Sequence, residues 1–184
     1  MPALKTLPLL RPAFALMLIA GLGLAACGSR REDTRPPPCP RVGILGDANK
    51  GVQYREGQGR DLTDVTFETQ LLDYNGDCRY EDDRAVVVVR FILQVAATRG
   101  PAATQNEALV PYFIAVVDKQ QNVLAREDFV ARVPFEPGRR RVVVGEELEQ
   151  RIPLAGRNTG ELEILIGLVL GRDQLEKNRR DRGF

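Results

Sequence analysis

The feature that most limits what this chain can become is an alternation with a period of two. Leu162, Ile164, Ile166, Leu168 and Leu170 recur at every second position, a spacing that lines one face of an extended strand rather than one stripe of a helix. Leu165 and Val169 stand between them, so this strand is expected to be covered on both faces for part of its length. The same period appears earlier, where Val65, Phe67, Thr69 and Leu71 alternate with Thr66, Glu68 and Gln70 and one face looks inward. Between Ala85 and Thr98, Val86, Val87, Val88, Val89, Phe91, Ile92, Leu93 and Val95 make a run that is apolar on both faces, which suits a strand central to a sheet.

Turn residues separate these runs. Asn75-Gly76 supplies the positive φ of a two-residue hairpin loop, so a tight turn is expected there, with Tyr74 facing Asp77 and Cys78 opening the return strand. Tyr112 to Val117 and Val123 to Val133 read as a second hairpin around Asp118 to Asn122, and Arg140 to Val144 follows the turn at Pro137-Gly138. Val42 to Asp47 reads as a first strand and turn. Gly43, Gly46 and Gly51 lack the glycine spacing of a dinucleotide-binding loop, and no amphipathic helix follows to receive a pyrophosphate. Only Glu146 to Gln150 and Asp173 to Arg180 have helix-favouring composition, and neither is long enough to build a core layer. The expectation is an all-β fold, an antiparallel β-sandwich of about seven to eight strands. In strand count and spacing the body resembles an immunoglobulin or fibronectin type III sandwich, without the Trp or the inter-sheet cysteine pair of antibody domains.

The N-terminal segment sets the address. Ala13 to Leu24 is a short apolar stretch preceded by Lys5 and Arg11. About 20 residues are needed to span a bilayer as a helix, so this stretch reads as the apolar region of a secretory signal. It ends in Leu24-Ala25-Ala26-Cys27, which resembles the lipobox of bacterial lipoproteins. That resemblance implies lipidation of the Cys27 thiol, cleavage just before it, and attachment to a membrane through the acyl chains. Gly28 rather than Asp after that cysteine implies, again by resemblance, the outer membrane rather than the inner one. Residues 1–26 are then a signal peptide and 27–38 a lipidated cysteine with a charged, proline-ended tether; 39–171 form the sandwich and 172–184 a charged tail expected to fray or form a loose helical end. With Cys27 lipidated, Cys39 and Cys78 remain in an oxidising compartment, one before the first strand and one beside the first hairpin, and a disulfide between them is expected.

Composition narrows the function classes. Removing Lys5 and Arg11 from the 26 bases leaves 24 against 25 acids, a balance unlike the basic surplus of nucleic-acid binders. The chain has no His, and its single Ser is Ser29, in the tether. A Ser/His/Asp or Cys/His arrangement therefore lacks its base, and a zinc site without His needs more thiolates than three cysteines supply. No catalytic, cofactor-binding or metal residues are assigned, and no cofactor is expected. Asp73, Asn75 and Asp77, with Glu81, Asp82 and Asp83 near, begin like a calcium loop, but Cys78 and Arg84 stand where its Gly and bidentate Glu belong. Arg139 to Arg141 and the tail bases Lys177, Arg179, Arg180 and Arg182 are interleaved with Glu136, Glu146, Glu147, Asp173, Glu176 and Asp181, the pattern of a solvated mixed surface. The leading expectation is a non-catalytic envelope lipoprotein that contacts a protein partner through an edge strand and adjoining loops, near Arg99-Gly100-Pro101 or Asp118 to Asn122. The alternatives are a carrier or sensor of a small ligand or lipid, and a hydrolase working with carboxylates alone.

Overall fold

The computed structural model describes residues 37–57 and 59–183; Cys27, the signal segment and most of the tether lie outside them. Eight strands form two four-stranded sheets packed as a sandwich. They are β1 (Arg41–Ile44), β2 (Lys50–Tyr54), β3 (Val65–Glu81), β4 (Val86–Arg99), β5 (Glu107–Asp118), β6 (Val123–Pro134), β7 (Arg141–Pro153) and β8 (Leu162–Leu168), followed by a helix, α1 (Arg172–Asp181). The first sheet has the order β1-β8-β5-β6 and the second β2-β3-β4-β7. Pairing is antiparallel throughout except between β1 and β8, which run parallel.

The two strands with the strongest apolar signal take the positions that signal implies. β4 is flanked by β3 and β7, and β8 by β1 and β5. Val87, Leu93 and Val95 of β4 meet Ile164 and Ile166 of β8 and Val110 of β5 in one core, each with no exposed area. Burying a side chain of this size contributes about 1.5–3 kcal/mol, so these strands carry most of the sandwich's cohesion. Val88, on the opposite face of β4, is also fully buried. Its cross-strand neighbours are Arg79 and Arg151, whose aliphatic stems cover it while their charged heads join Glu81 (2.9 and 2.6 Å).

Two local expectations are corrected, and a third is decided between its alternatives. The chain does not turn at Asn75-Gly76; β3 runs straight through, and the turn comes at Asp82, Asp83 and Arg84, with φ of 50°, 50° and 70°. A turn at 75–76 leaves the first half of β4 without a partner, whereas the long pairing satisfies its backbone from Val86 to Arg99. Gly76 serves close approach instead: a Cβ there lies 2.1 Å from the Arg90 carbonyl oxygen and 2.5 Å from the Phe91 Cβ. A bulge between Leu71 and Asp73 shifts the phase of β3, so that Tyr74, Gly76, Cys78 and Tyr80 pair opposite the core positions Leu93, Phe91, Val89 and Val87. Glu146 to Gln150 are strand, not helix, because β4 needs a neighbour on its other edge and Leu148 pairs opposite Phe91; tertiary pairing overrides a weak propensity. Of the two outcomes expected for the tail the helical one is found: α1 forms, and it is fastened to the body through Gln174, Asn178 and Arg179.

Candidate interaction surface

The chain enters the sandwich at a covalently fixed point. Cys39 and Cys78 form a disulfide with a Cα separation of 5.8 Å. Around it, the Tyr74 hydroxyl donates to the Val42 carbonyl (2.6 Å) and the Thr159 hydroxyl to the Pro38 carbonyl (2.7 Å). The Tyr80 hydroxyl lies 2.8 Å from both that carbonyl and Thr159 Oγ1. The residues before β1 are thus stapled along the second half of β3, beyond the part that β2 covers.

The acids that begin like a calcium loop do not converge. Asp73 to Asp83 run along an extended strand and the turn after it, which spreads them over roughly 30 Å at ~3.3 Å per residue. Asp73 accepts from the Tyr74 backbone N–H (2.8 Å). Glu81 is held by Arg79 and Arg151; burial works to raise its pKa, but the hydrogen bonds and charges of those two guanidiniums outweigh it and keep the carboxyl below its ordinary value. Among the described residues, no three Asp, Glu, Cys or His side chains gather as a metal site.

Nor do the surface clefts resemble a carrier's interior. The space between the sheets is filled by apolar side chains. A groove of about 1150 Å³ lies at the Pro101 to Asn106 loop beside Tyr54 and Phe67, and one of about 410 Å³ beside the disulfide is lined by Arg41, Tyr74, Phe91 and Glu163. Both open to solvent. The one buried phenol, Tyr112, is 1% exposed and stacks on Phe129 with ring centroids 5.4 Å apart. Burial raises its pKa, and the charges of Glu146 and Glu127 add to that. Burial likewise raises the Glu146 carboxyl.

What differs most across the molecule is the treatment of its edge strands. β1 is four residues long and is pinned by the staple. β2 is covered by α1: the Val52 N–H donates to Gln174 Oε1 (3.1 Å), and Gln174 Nε2 donates back to the Val52 carbonyl. That side-chain amide stands where a neighbouring strand's peptide group stands in a ladder. Asn178 Nδ2 adds bonds to the Asp47 and Lys50 carbonyls (2.9 and 2.8 Å), and Arg179 pairs with Asp47 (2.8 Å). On the opposite side β6 and β7 end their sheets next to each other. They are 12 and 13 residues long, and among the described residues each pairs on one side only.

The two loops expected to flank a partner site are fastened internally. The Gly100 N–H donates to the Thr66 carbonyl (2.7 Å) and Ala102 to the Val65 carbonyl (2.9 Å). Asp118 accepts from the backbones of Gln120 and Asn122 (2.9 and 2.8 Å) and from Asn122 Nδ2 (2.8 Å); the side-chain bond from Asn122 leads in holding its pKa low. The basic residues fall into two groups. Lys177, Arg179, Arg180 and Arg182 belong to α1 and its end, on the β2 side, whereas Arg139 to Arg141 lead into β7. Sequence reasoning named an edge strand without saying which; the identity of the edges depends on strand order, for which no local signal exists. No protein family, no characterised protein and no solved structure matches this chain.

Proposed function

We propose that the chain is a lipid-anchored module of the bacterial envelope that acts by contact rather than catalysis, meeting a protein partner along the open side formed by β6 and β7. The observation that carries this reading is the asymmetry of the edges. An uncovered edge is a template for a further strand, and proteins normally cover, shorten or charge it. Here the short edges are stapled and capped while the two long ones stand open, with Val123, Leu124 and Val130 of β6 exposed by 62, 41 and 55%. The residue inventory agrees: there is no imidazole, and the thiols of Cys39 and Cys78 are consumed in the disulfide. The anchor follows from Leu24-Ala25-Ala26-Cys27. One acyl chain holds only marginally, at about 0.8 kcal/mol per buried methylene, and two or three hold firmly.

The test places a photo-crosslinking side chain at Val130 or Leu124, and separately at Lys50 on the covered side, in intact cells. A defined partner captured from β6 and not from β2 is the expected result. Capture from neither edge, together with turnover of an envelope substrate abolished by replacing one buried Asp or Glu in an intact fold, would falsify the reading. Mass spectrometry of the mature N-terminus tests the anchor independently: acyl mass on Cys27 is expected, and Cys27→Ser leaves an unlipidated precursor.

A further inference from the structure

The residues leading into β7 and along its first part are sorted by charge. Arg139, Arg140 and Arg141 come first, then Val142, Val143, Val144 and Gly145, then Glu146, Glu147, Leu148 and Glu149. Many arginines of the sandwich have carboxylate partners: Arg41, Arg55, Arg79, Arg90, Arg126, Arg132 and Arg151 are all ion-paired. Among the described residues, Arg139, Arg140, Arg141, Glu146 and Glu147 form no ion pair, although all but Glu146 are exposed. Arg141 reaches only the Thr98 hydroxyl (3.2 Å). Beside them Val143 is 48% exposed on an edge with no strand beyond it among the described residues.

Read backwards, the same order is acidic, apolar, basic, so the strand is complementary to an antiparallel copy of itself. We propose that β7 pairs edge to edge with β7 of a second copy of this chain, about a two-fold axis at Val144, joining the two second sheets into one eight-stranded sheet. In that register Arg141 faces the partner's Glu147 and Val143 faces the partner's Gly145. On the inner face Val142 meets the partner's Glu146, and Val144 meets its own symmetry mate. No like charges oppose each other, and each unlike pair occurs twice because the contact is isologous. The two-fold closes the assembly at two copies and consumes one open edge of each. The other edge, β6, stays available. The pairing needs neither the lipid nor the envelope partner proposed above, so its failure leaves that reading standing.

The experiment uses the full chain. Val144→Cys places a thiol at the axis, where directly opposed strand residues are about 4.5–5.5 Å apart at Cα, within disulfide reach. Mild oxidation is expected to link Val144→Cys chains into dimers, and Val130→Cys on β6 serves as the comparison. Adding Arg141→Glu or Glu147→Arg sets like charges opposite each other twice, and the linked fraction is expected to fall on the order of tenfold. Mixing the Arg141→Glu and Glu147→Arg chains, or combining both changes in one chain, restores it, while an unchanged circular-dichroism spectrum and melting temperature report that the fold persists. Absence of linkage at Val144, linkage equal to that at Val130, or linkage unchanged by the charge reversals would overturn the proposal.

Discussion

One side of the sandwich is finished and the other is not. On the β1–β2 side the edges are four and five residues long, a disulfide and three hydroxyl groups fix the incoming chain, and a helix lays a glutamine amide along the exposed backbone. On the β6–β7 side two strands of 12 and 13 residues run uncapped. Both sides face the same hazard of unwanted strand addition. With α1 over β2 and β1 short and stapled, the long uncovered edges among the described residues are confined to one side of the sandwich. Inward-pointing Glu127 and Glu146, opposite Ile114 and Leu93 in register, discourage indiscriminate pairing there, since a charge facing the core penalises an added layer that buries it.

The largest effect is expected from breaking the finished side. Replacing Cys39 and Cys78 by Ala opens a loop closed over 39 residues, worth up to about 4 kcal/mol on the chain-entropy view; urea denaturation should show the loss as a lower midpoint with a steeper slope, because the denatured chain freed of its crosslink exposes more surface. Next comes truncation after Gly171, which removes α1. A destabilisation of about 1–3 kcal/mol is expected, and a crosslinker at Lys50, silent in the intact chain, should now capture neighbours. Gln174→Ala isolates the amide itself, with about 1 kcal/mol expected for its two hydrogen bonds, read from the melting temperature. On the open side Val130→Glu should change stability by less than ~0.5 kcal/mol, as exposed substitutions do, while abolishing partner capture from β6. If stability falls as far as for Gln174→Ala, the open side is structural and the contrast fails.

The smallest effect concerns pH. Burial raises the folded-state pKa of Glu146 above its unfolded value, so the folded state binds its proton more tightly than the unfolded one. The stability this provides is complete below the ordinary carboxylate pKa and is lost as pH rises through the raised value. Glu146→Gln should therefore stabilise the fold slightly at neutral pH and flatten the pH dependence just above the ordinary carboxylate range. Glu81 acts with the opposite sign: its lowered pKa contributes stability above the ordinary value that is lost as pH falls, and Glu81→Gln removes that contribution.

Much of this architecture was legible from local pattern, and the failures have physical causes. The two-faced apolarity of Val86 to Val95 identified a central strand because burial on both faces leaves a composition signal that needs no partner to be named. The Asp118 to Asn122 turn was legible because its residues satisfy their own backbone. Asn75-Gly76 misled because a glycine supports two different geometries, left-handed backbone and close approach, and only the facing strand decides between them. Glu146 to Gln150 misled because helix-favouring residues tolerate a strand whose neighbour holds it in register. The edges were not legible, since covering β2 depends on Gln174 meeting Val52, 122 positions away.

The disulfide also decides how the domain carries mechanical load. A pull on the chain ahead of Cys39 would otherwise reach β1 first, and a strand of four residues peels readily, one ladder bond at a time. Through Cys78 the force passes instead into β3, whose 17 residues pair with β4 from Phe67 to Glu81 and resist as a long sheared ladder. β1 stays slack beside β8. A reductant moves the weakest point of the fold to its first strand, and an oxidised domain under tension yields last where a reduced one begins.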